Sequence, residues 1–367
     1  MQKVKIGVIG CGNVSDFYLQ NCTEIFDILD VVACADLVSE RAKEKAEKYG
    51  VPKACTVEEL LVDPEIQIVV NLTVPAAHGT VCMNALEAGK NVYVEKPFSI
   101  IREEGKKVLD TAKSRELLVG GAPDTFLGGG LQTCQKLIAD GWIGKPIAAT
   151  AYMLLPGHER WHPDPEFFYK FGGGPMLDNG PYLLTALIAL MGPIKRATGS
   201  ASITYTERTI TSEPKYGTKI KVEVPTHVAG IIDFQSGAVG NLITSYDVWH
   251  TQLPHIEVYG SEGTLAAPDP NIFDGPVFVR RAKADEWSNI PLTHGFTENS
   301  RGIGVADMAY CLVSGKRHRA SGEQAYHVLD IMQGFQEASE SGKHCEIRST
   351  CIRPEPLPLN WPESEMD

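Results

Sequence analysis

The sequence predicts an α/β Rossmann domain, a doubly wound parallel sheet, followed by an α+β domain with a largely antiparallel open sheet. Three observations lead there. A glycine-rich turn closes the first apolar run, Val4-Lys5-Ile6-Gly7-Val8-Ile9 leading into Gly10-Cys11-Gly12-Asn13-Val14-Ser15. Patterns of buried strand and helix then alternate up to Gly121. From about Ala122 the rhythm changes to segments in which apolar and polar residues alternate strictly, the mark of strands with one wet face. The expected division is residues 1–121, residues 122–353 and an extended tail, 354–367.

In the opening stretch, Val4, Ile6, Val8 and Ile9 read as a buried parallel strand. Gly10 permits a tight turn, and Gly12 lets the backbone approach a ligand closely. A helix from Asn13 to Phe26 directs its free N–H groups and positive dipole end at that turn, a natural seat for a pyrophosphate. Ser15 stands at the third small-residue position, where Gly or Ala is usual. A second strand, Val31-Val32-Ala33-Cys34-Ala35, ends at Asp36. An acid about 20 residues beyond such a turn accepts hydrogen bonds from ribose hydroxyls and repels a 2′-phosphate. NAD is therefore the expected cofactor and NADP the less favoured one, although Arg41 can meet a phosphate. The plain reading, a βαβ unit without nucleotide, uses the same pattern.

The following elements continue the series. Ser39 caps a charged helix to Tyr49, Lys53-Ala54-Cys55 is a short strand, and Thr56 with Glu59 forms a capping box for Val57–Leu61. Ile66–Val70 and Asn91–Val94 are buried strands, with a helix ending at Ala88 between them. Glu103 to Ser114 is helical and Leu117–Val119 is a sixth strand. Beyond Ala122 the pattern predicts a helix Gly130–Asp140, a strand Ile147–Met153 and a helix Pro181–Met191. The expected later strands are Arg196–Thr206, Thr226–Phe234, Val239–Val248, Ile256–Tyr259 and Thr264–Ala267, read as an antiparallel meander. Helices Arg301–Val313 and Gly322–Glu340 close the domain. There is no internal repeat and no low-complexity segment.

Bulk composition narrows the function classes. The 367 residues suffice for two cores, and 43% hydrophobic with 22% charged residues is ordinary for a globular protein. With 34 basic against 46 acidic residues the net charge is −12, which disfavours nucleic acid or an anionic membrane as partner. No apolar run approaches the roughly 20 residues that span a bilayer, and the first strand leaves no room for a signal peptide. Nine cysteines without a C-x-x-C pair read as core residues of a reducing compartment. The expected location is the cytoplasm.

In an open α/β sheet, ligands sit beyond the carboxyl ends of the strands. The expected cofactor-facing set is therefore Gly10, Cys11, Gly12, Asn13 and Val14, then Asp36, Leu37 and Arg41, then Asn71, and finally Glu95, Lys96 and Pro97. Lys96, at the mouth of a buried strand and followed by proline, is the sharpest candidate. Near a positive nicotinamide ring its pKa falls and it can exchange protons with a substrate hydroxyl. The bland reading pairs it with Glu95. A second constellation is Gly172-Gly173-Gly174-Pro175-Met176-Leu177-Asp178-Asn179-Gly180-Pro181-Tyr182. Asp178 and Tyr182, four apart at a helix start, share a face, and a phenol beside an ammonium moves protons more readily. Otherwise Asp178 is a cap and Tyr182 a core filler. In Gly157-His158-Glu159-Arg160-Trp161-His162, Trp161 offers a plate for a sugar face, and His158 and His162 can bond hydroxyls. Histidines four apart also suggest a metal, but a run ending His-Pro does not favour a helix, and no metal site is expected.

The G-x-G turn, Glu95-Lys96-Pro97, the stretch from Gly172 to Tyr182 and Val258-Tyr259-Gly260-Ser261-Glu262-Gly263-Thr264-Leu265, in this order, resemble the glucose–fructose oxidoreductase/inositol dehydrogenase (Gfo/Idh/MocA) family over nearly the whole chain. The resemblance implies catalytic roles for Lys96 and Asp178, with Tyr182 where many members carry histidine. It also implies that Thr73, Pro75 and His78 line the cofactor cleft, with a loop-holding role as the alternative for His78. Asp124 and Thr125 fall where the family places polar nicotinamide or substrate contacts, although the residue types differ. The implied activity is NAD-dependent oxidation of a secondary alcohol of a sugar, glycoside or polyol. Two other readings use the same residues: a glycoside-cleaving enzyme that oxidises, eliminates and re-reduces, and a non-catalytic NAD- and sugar-sensing regulator. A homo-oligomer (dimer, tetramer or higher) through the open sheet is expected, since a partner subunit usually covers such a face.

Overall fold

The computed structural model describes residues 3–362, which form two compact units. The first comprises the chain up to Gly128, Phe296–Tyr326 and the segment from Pro354. Its elements alternate as β1 (Val4–Ile9), α1 (Ser15–Glu24), β2 (Leu29–Ala35), α2 (Ser39–Tyr49), β3 (Lys53–Cys55) and α3 (Val57–Val62). There follow β4 (Ile68–Asn71), α4 (His78–Glu87), β5 (Asn91–Val94), α5 (Arg102–Ser114) and β6 (Val119–Gly121). All six strands pair in parallel, in the order β3-β2-β1-β4-β5-β6. The order reverses between β1 and β4, so their following loops diverge and leave a crevice at the carboxyl ends.

Local chemistry explains most boundaries. The Thr56–Glu59 capping box is present in both directions and starts α3. Ser39 takes the first helical position of α2 while Val38 is the cap, without a side-chain bond. α1 starts at Ser15, two residues later than expected, because Gly12–Val14 are consumed by the turn. The Ser15 N–H and hydroxyl both donate to the Gly12 carbonyl, at 3.1 and 2.6 Å.

A single division near residue 121 does not describe the chain, because two later segments return to the first unit. Asp124 supplies one reason. Its fully buried carboxylate accepts from the N–H groups of Gly302 and Gly304, at 2.8 and 3.0 Å, where the helix Ile303–Ser314 begins. Trp361 supplies another: it packs between Phe296 and Tyr310, with ring centroids 5.3 and 5.5 Å away, and so anchors the expected tail.

The second unit holds α6 (Gly129–Ala139), β7 (Pro146–Leu154), α7 (Pro175–Met191), β8 (Ile194–Ser202), β9 (Glu207–Thr209) and β10 (Lys219–Lys221). β11 (His227–Phe234), β12 (Val239–Ser245), β13 (Ile256–Gly260), β14 (Gly263–Ala267), β15 (Val277–Arg281), β16 (Ser288–Ile290) and β17 (Cys345–Glu346) follow. Nine strands form one sheet in the order β16-β15-β14-β13-β7-β12-β11-β8-β17. The sheet is mostly antiparallel but not a simple meander. β7 lies between β13 and β12 and pairs in parallel with β12, a pairing that hairpin turns cannot produce. β9 and β10 form a separate hairpin. α7 packs across β7, β11 and β12 and begins at Pro175, six residues before the expected Pro181. Pro175 suits the first helical position, where its missing N–H costs nothing, and Gly174 at φ +90° turns the chain into it. Asp178 thus lies in the first turn of α7, and Tyr182 one turn further on.

Burial raises the pKa of Asp124 from 3.8 to about 6, against the lowering effect of the two amide donors. Because the folded value lies above the unfolded one, this group's contribution to stability is complete below the unfolded value. It is lost as pH rises through about 6. Asp124→Asn keeps an acceptor and cannot ionise. Its melting temperature relative to wild type is expected to rise between about pH 4 and pH 7; an unchanged difference would rule out ionisation of this carboxyl.

Candidate active site

At the end of β1 the two glycines have separate reasons. Gly10 sits at φ +102°, and a Cβ there would lie 2.6–2.8 Å from backbone atoms of Leu72 and Thr73. Gly12 is exposed, and its Cβ position meets nothing within 4 Å. The turn therefore presents an open backbone surface, the cradle that a pyrophosphate needs. Asn13 is exposed and Val14 half-buried at the helix entry. Asp36 closes the side of the cradle: its Oδ2 accepts from the Cys11 N–H and its Oδ1 from the Val38 N–H, both at 2.8 Å. The carboxylate is thus oriented at the strand end while remaining half-exposed, as ribose recognition requires. The Cys11 thiol turns inward toward Ala35 O, 3.6 Å away. Leu37 is 98% exposed beside Asp36, and Arg41 is exposed in the first turn of α2. This donor set and open turn fit NAD.

Behind the other strand ends, several expected contact residues are buried braces. Asn71 accepts from the Thr73 N–H (3.2 Å) and hydroxyl (2.7 Å) and donates to His78 O (3.0 Å). The His78 ring lies 2.7 Å from Pro97 O and 2.9 Å from Thr73 O, so it links the loops after β4 and β5 from below. Burial pushes its pKa down, against the two carbonyls, which favour the charged form. The loop-holding alternative for His78 is therefore the one its surroundings match. Glu95 is buried and accepts from Tyr18 Oη (2.9 Å) and from the Lys96 N–H (2.7 Å). That bond fixes the backbone of half-buried Lys96, which a cis peptide joins to buried Pro97. Thr73 and Pro75 are half-buried on the same rim. Asp124 and Thr125 are buried, and the Asp124 carboxylate is committed to Gly302 and Gly304, so it is a structural anchor.

In the second unit, Asp178 is the centre of a bonded cluster. Its Oδ2 lies 2.9 Å from His158 Nε2 and accepts from Tyr246 Oη at 2.8 Å. His158 Nδ1 accepts from Trp161 Nε1 at 3.1 Å. An indole N–H only donates, so Nδ1 carries no proton, and the neutral ring carries it on Nε2 and gives it to Asp178. Tyr246 is fully buried, and burial beside the Asp178 charge pushes its pKa well up, which keeps the phenol a donor. Two donors thus converge on one carboxylate oxygen, an arrangement that favours the ionised form.

The expected roles change accordingly. His158 is buried with both ring nitrogens engaged inside the protein. Trp161 is 64% exposed, so its indole is accessible, as a sugar plate requires. His162 accepts from the Asp164 N–H at 3.0 Å, and burial lowers its pKa. Tyr182 is buried in α7. Among the described residues no group of three or more His, Cys, Asp and Glu side chains is arranged to hold a metal ion, and no helix is long and apolar enough to cross a membrane. Tyr246 escaped the sequence reading because it reads as one more aromatic at the end of an apolar strand. The available signal was Asp247 beside it, an acid at a strand end as in Asp36.

The glycine pair gives a contrast. Gly10→Ala is expected to lower unfolding stability by about 1–3 kcal/mol through backbone strain and collision. Gly12→Val is expected to leave stability within about 0.5 kcal/mol, since its side chain enters open space. Calorimetric titration should show a loss of NAD affinity of at least about tenfold for Gly12→Val; undiminished affinity would mean that the dinucleotide does not cross this turn.

Two family models match the chain, one within each unit. Residues 4–121 match the GFO_IDH_MocA model, described as an oxidoreductase family with an NAD-binding Rossmann fold, and residues 131–266 match the GFO/IDH/MocA C-terminal domain. The chain is 25% identical to myo-inositol 2-dehydrogenase of Thermotoga maritima over 78% of its own length and 80% of that protein. It is 28% identical to 1,5-anhydro-D-fructose reductase of Ensifer adhaerens, over 87% and 92%. A levoglucosan dehydrogenase solved in complex with NADH shares the fold, with a TM-score of 0.82, 21% identity, and coverage of 95% of this chain and 100% of that one. With the two models covering the open cradle at β1, the Asp178 cluster and the central strands of the mixed sheet, the chain belongs to the Gfo/Idh/MocA family of NAD-binding oxidoreductases.

Proposed function

We propose that this protein is an NAD-dependent dehydrogenase that transfers a hydride between nicotinamide and the secondary alcohol of a sugar, glycoside or polyol. The observation that carries the reading is Asp178, a carboxylate held by two donors on the first turn of a helix that follows a glycine-rich loop. An acid so oriented suits a substrate hydroxyl. The similar proteins support the substrate class by their names: one is a dehydrogenase of myo-inositol, another a reductase of 1,5-anhydro-D-fructose.

When bound, NAD supplies the acceptor for the hydride leaving the carbinol carbon. The hydroxyl proton must leave at the same time, and Lys96 with Tyr182 removes it. Asp178 orients that hydroxyl or keeps the ammonium charged, and the exposed indole of Trp161 stacks on the sugar ring. Asp36 holds the ribose hydroxyls and disfavours a 2′-phosphate, which makes NAD the preferred dinucleotide. The proposal includes a cytoplasmic homo-oligomer. Nine free cysteines suit a reducing compartment, and Ile231 and Val239 stand exposed on the sheet face opposite α7.

The test is a panel of polyols, sugars and glycosides with NAD and with NADP, following the absorbance of the reduced nicotinamide. NADH is expected to accumulate, and faster reduction of NADP would overturn the role of Asp36. Lys96→Ala should lower kcat by about 10²–10⁴ while NAD affinity changes only a few-fold. Turnover near the wild-type rate in that variant would sink the assignment.

A further inference from the structure

The two donors to Asp178 each have a charged neighbour in sequence. His158 precedes Glu159, and Tyr246 precedes Asp247. Both acids have shielded side chains, 9% and 7% exposed, and both meet one guanidinium. Arg208, in the middle of β9, donates from one terminal nitrogen to Glu159 Oε1 at 2.6 Å and from the other to Asp247 Oδ1. The same two nitrogens reach the backbone on either side: Pro156 O at 3.4 Å and Tyr246 O at 2.9 Å. The remaining acceptors are occupied too. Asp247 Oδ2 accepts from the hydroxyls of Thr204 and Thr226, each at 2.6 Å, and Glu159 Oε2 accepts from Tyr169.

A planar fork is the only side chain that reaches two carboxylates and two carbonyls at once with fixed directions. It ties the loop before Trp161 to the residues that follow β12, and these segments carry His158 and Tyr246, the two donors to Asp178. The guanidinium and the two carboxylates it joins are shielded from solvent, so the network acts on the site through geometry.

We propose that Arg208 is a positioning residue for Asp178: by joining Glu159 to Asp247 it holds His158 and Tyr246 as paired donors to one carboxylate oxygen. The inference rests on the proposed function in so far as Asp178 takes part in the chemistry. Loosening the fork lets the loop carrying His158 shift against Tyr246. The Trp161 bond that selects the Nε2–H tautomer then weakens, and Asp178 loses a donor.

Arg208→Lys tests this in the full chain, since an ammonium keeps one positive charge but cannot reach both acids with a fork. Nitrogen-15 NMR of histidine-labelled protein, with the His158 signals assigned from His158→Asn, should show a single Nε2–H tautomer in wild type. In Arg208→Lys it should show an average of the two. Turnover should fall about tenfold in kcat, with NAD affinity unchanged, as expected for a misplaced group. In a His158→Ala, Tyr246→Phe background the same substitution should change kcat less than about twofold, because the donors it serves are gone. A wild-type tautomer and kcat in Arg208→Lys, or an equal loss in both backgrounds, would overturn the proposal. Should Arg208→Lys not fold, Glu159→Gln removes one arm of the fork and is read in the same way. Absence of turnover by wild type on every polyol would defeat the proposed function alone, since the His158 spectrum still reports on the fork.

Discussion

One guanidinium between two shielded carboxylates organises the second unit around its candidate site. Charges in a dry interior cost several kcal/mol each to desolvate, and attraction offsets that only where geometry is good and every lone pair is used. Both terminal nitrogens of Arg208 are engaged by Glu159, Asp247 and two carbonyls, and threonine and tyrosine hydroxyls occupy the remaining carboxylate oxygens, while its Nε–H is buried without a partner among the described residues. Apolar burial alone would not fix these directions. The cluster of Phe168, Tyr169, Ile210, Ile220, Val222 and Tyr246 brings the β9–β10 hairpin inward, but such contacts are non-directional. A hairpin of two three-residue strands has little stability of its own. Packing supplies the driving force, and the ion network supplies the register.

The first unit solves a related problem with single buried polar side chains. A parallel sheet ends in loops whose backbone must be held open for a ligand and yet kept rigid. Asn71, His78 and Glu95 do this from beneath, each satisfying backbone groups of the loops above. Gly12 and the half-exposed Lys96 are left at the surface of those loops. Buried polar side chains under an exposed rim are thus the supporting layer for both the cradle at β1 and the mouth of β5. The same logic explains Asp124, whose carboxylate starts a helix contributed by a distant part of the chain.

Much of this was legible in the residues because its causes are local. The turn at Gly10–Gly12, the capping box at Thr56–Glu59 and the acid at Asp36 depend on neighbours a few positions away and on a strand end. The burial of His78 and Asp124 was not legible. A histidine after a proline and an acid after a strand look alike whether they face a cleft or the protein interior; only the positions of Pro97 and of Gly302 decide between these. The start of α7 was missed because Pro181 looks like a helix start, whereas Pro175 serves that purpose and Pro181 is carried inside the helix.

The amino-acid sequence by itself determined the alternation of strand and helix, the glycine turn with its matching acid, and the two stretches around Lys96 and Asp178. Those features follow from side-chain periodicity and backbone stereochemistry, which act over a few residues. The tertiary structure alone decided that β7 is inserted beside β12, that a late helix belongs to the first unit, and that His158 and Tyr246 converge on Asp178. Hydrogen bonds and ion pairs between residues far apart in the chain select those arrangements, and their partners become neighbours only when the chain has folded.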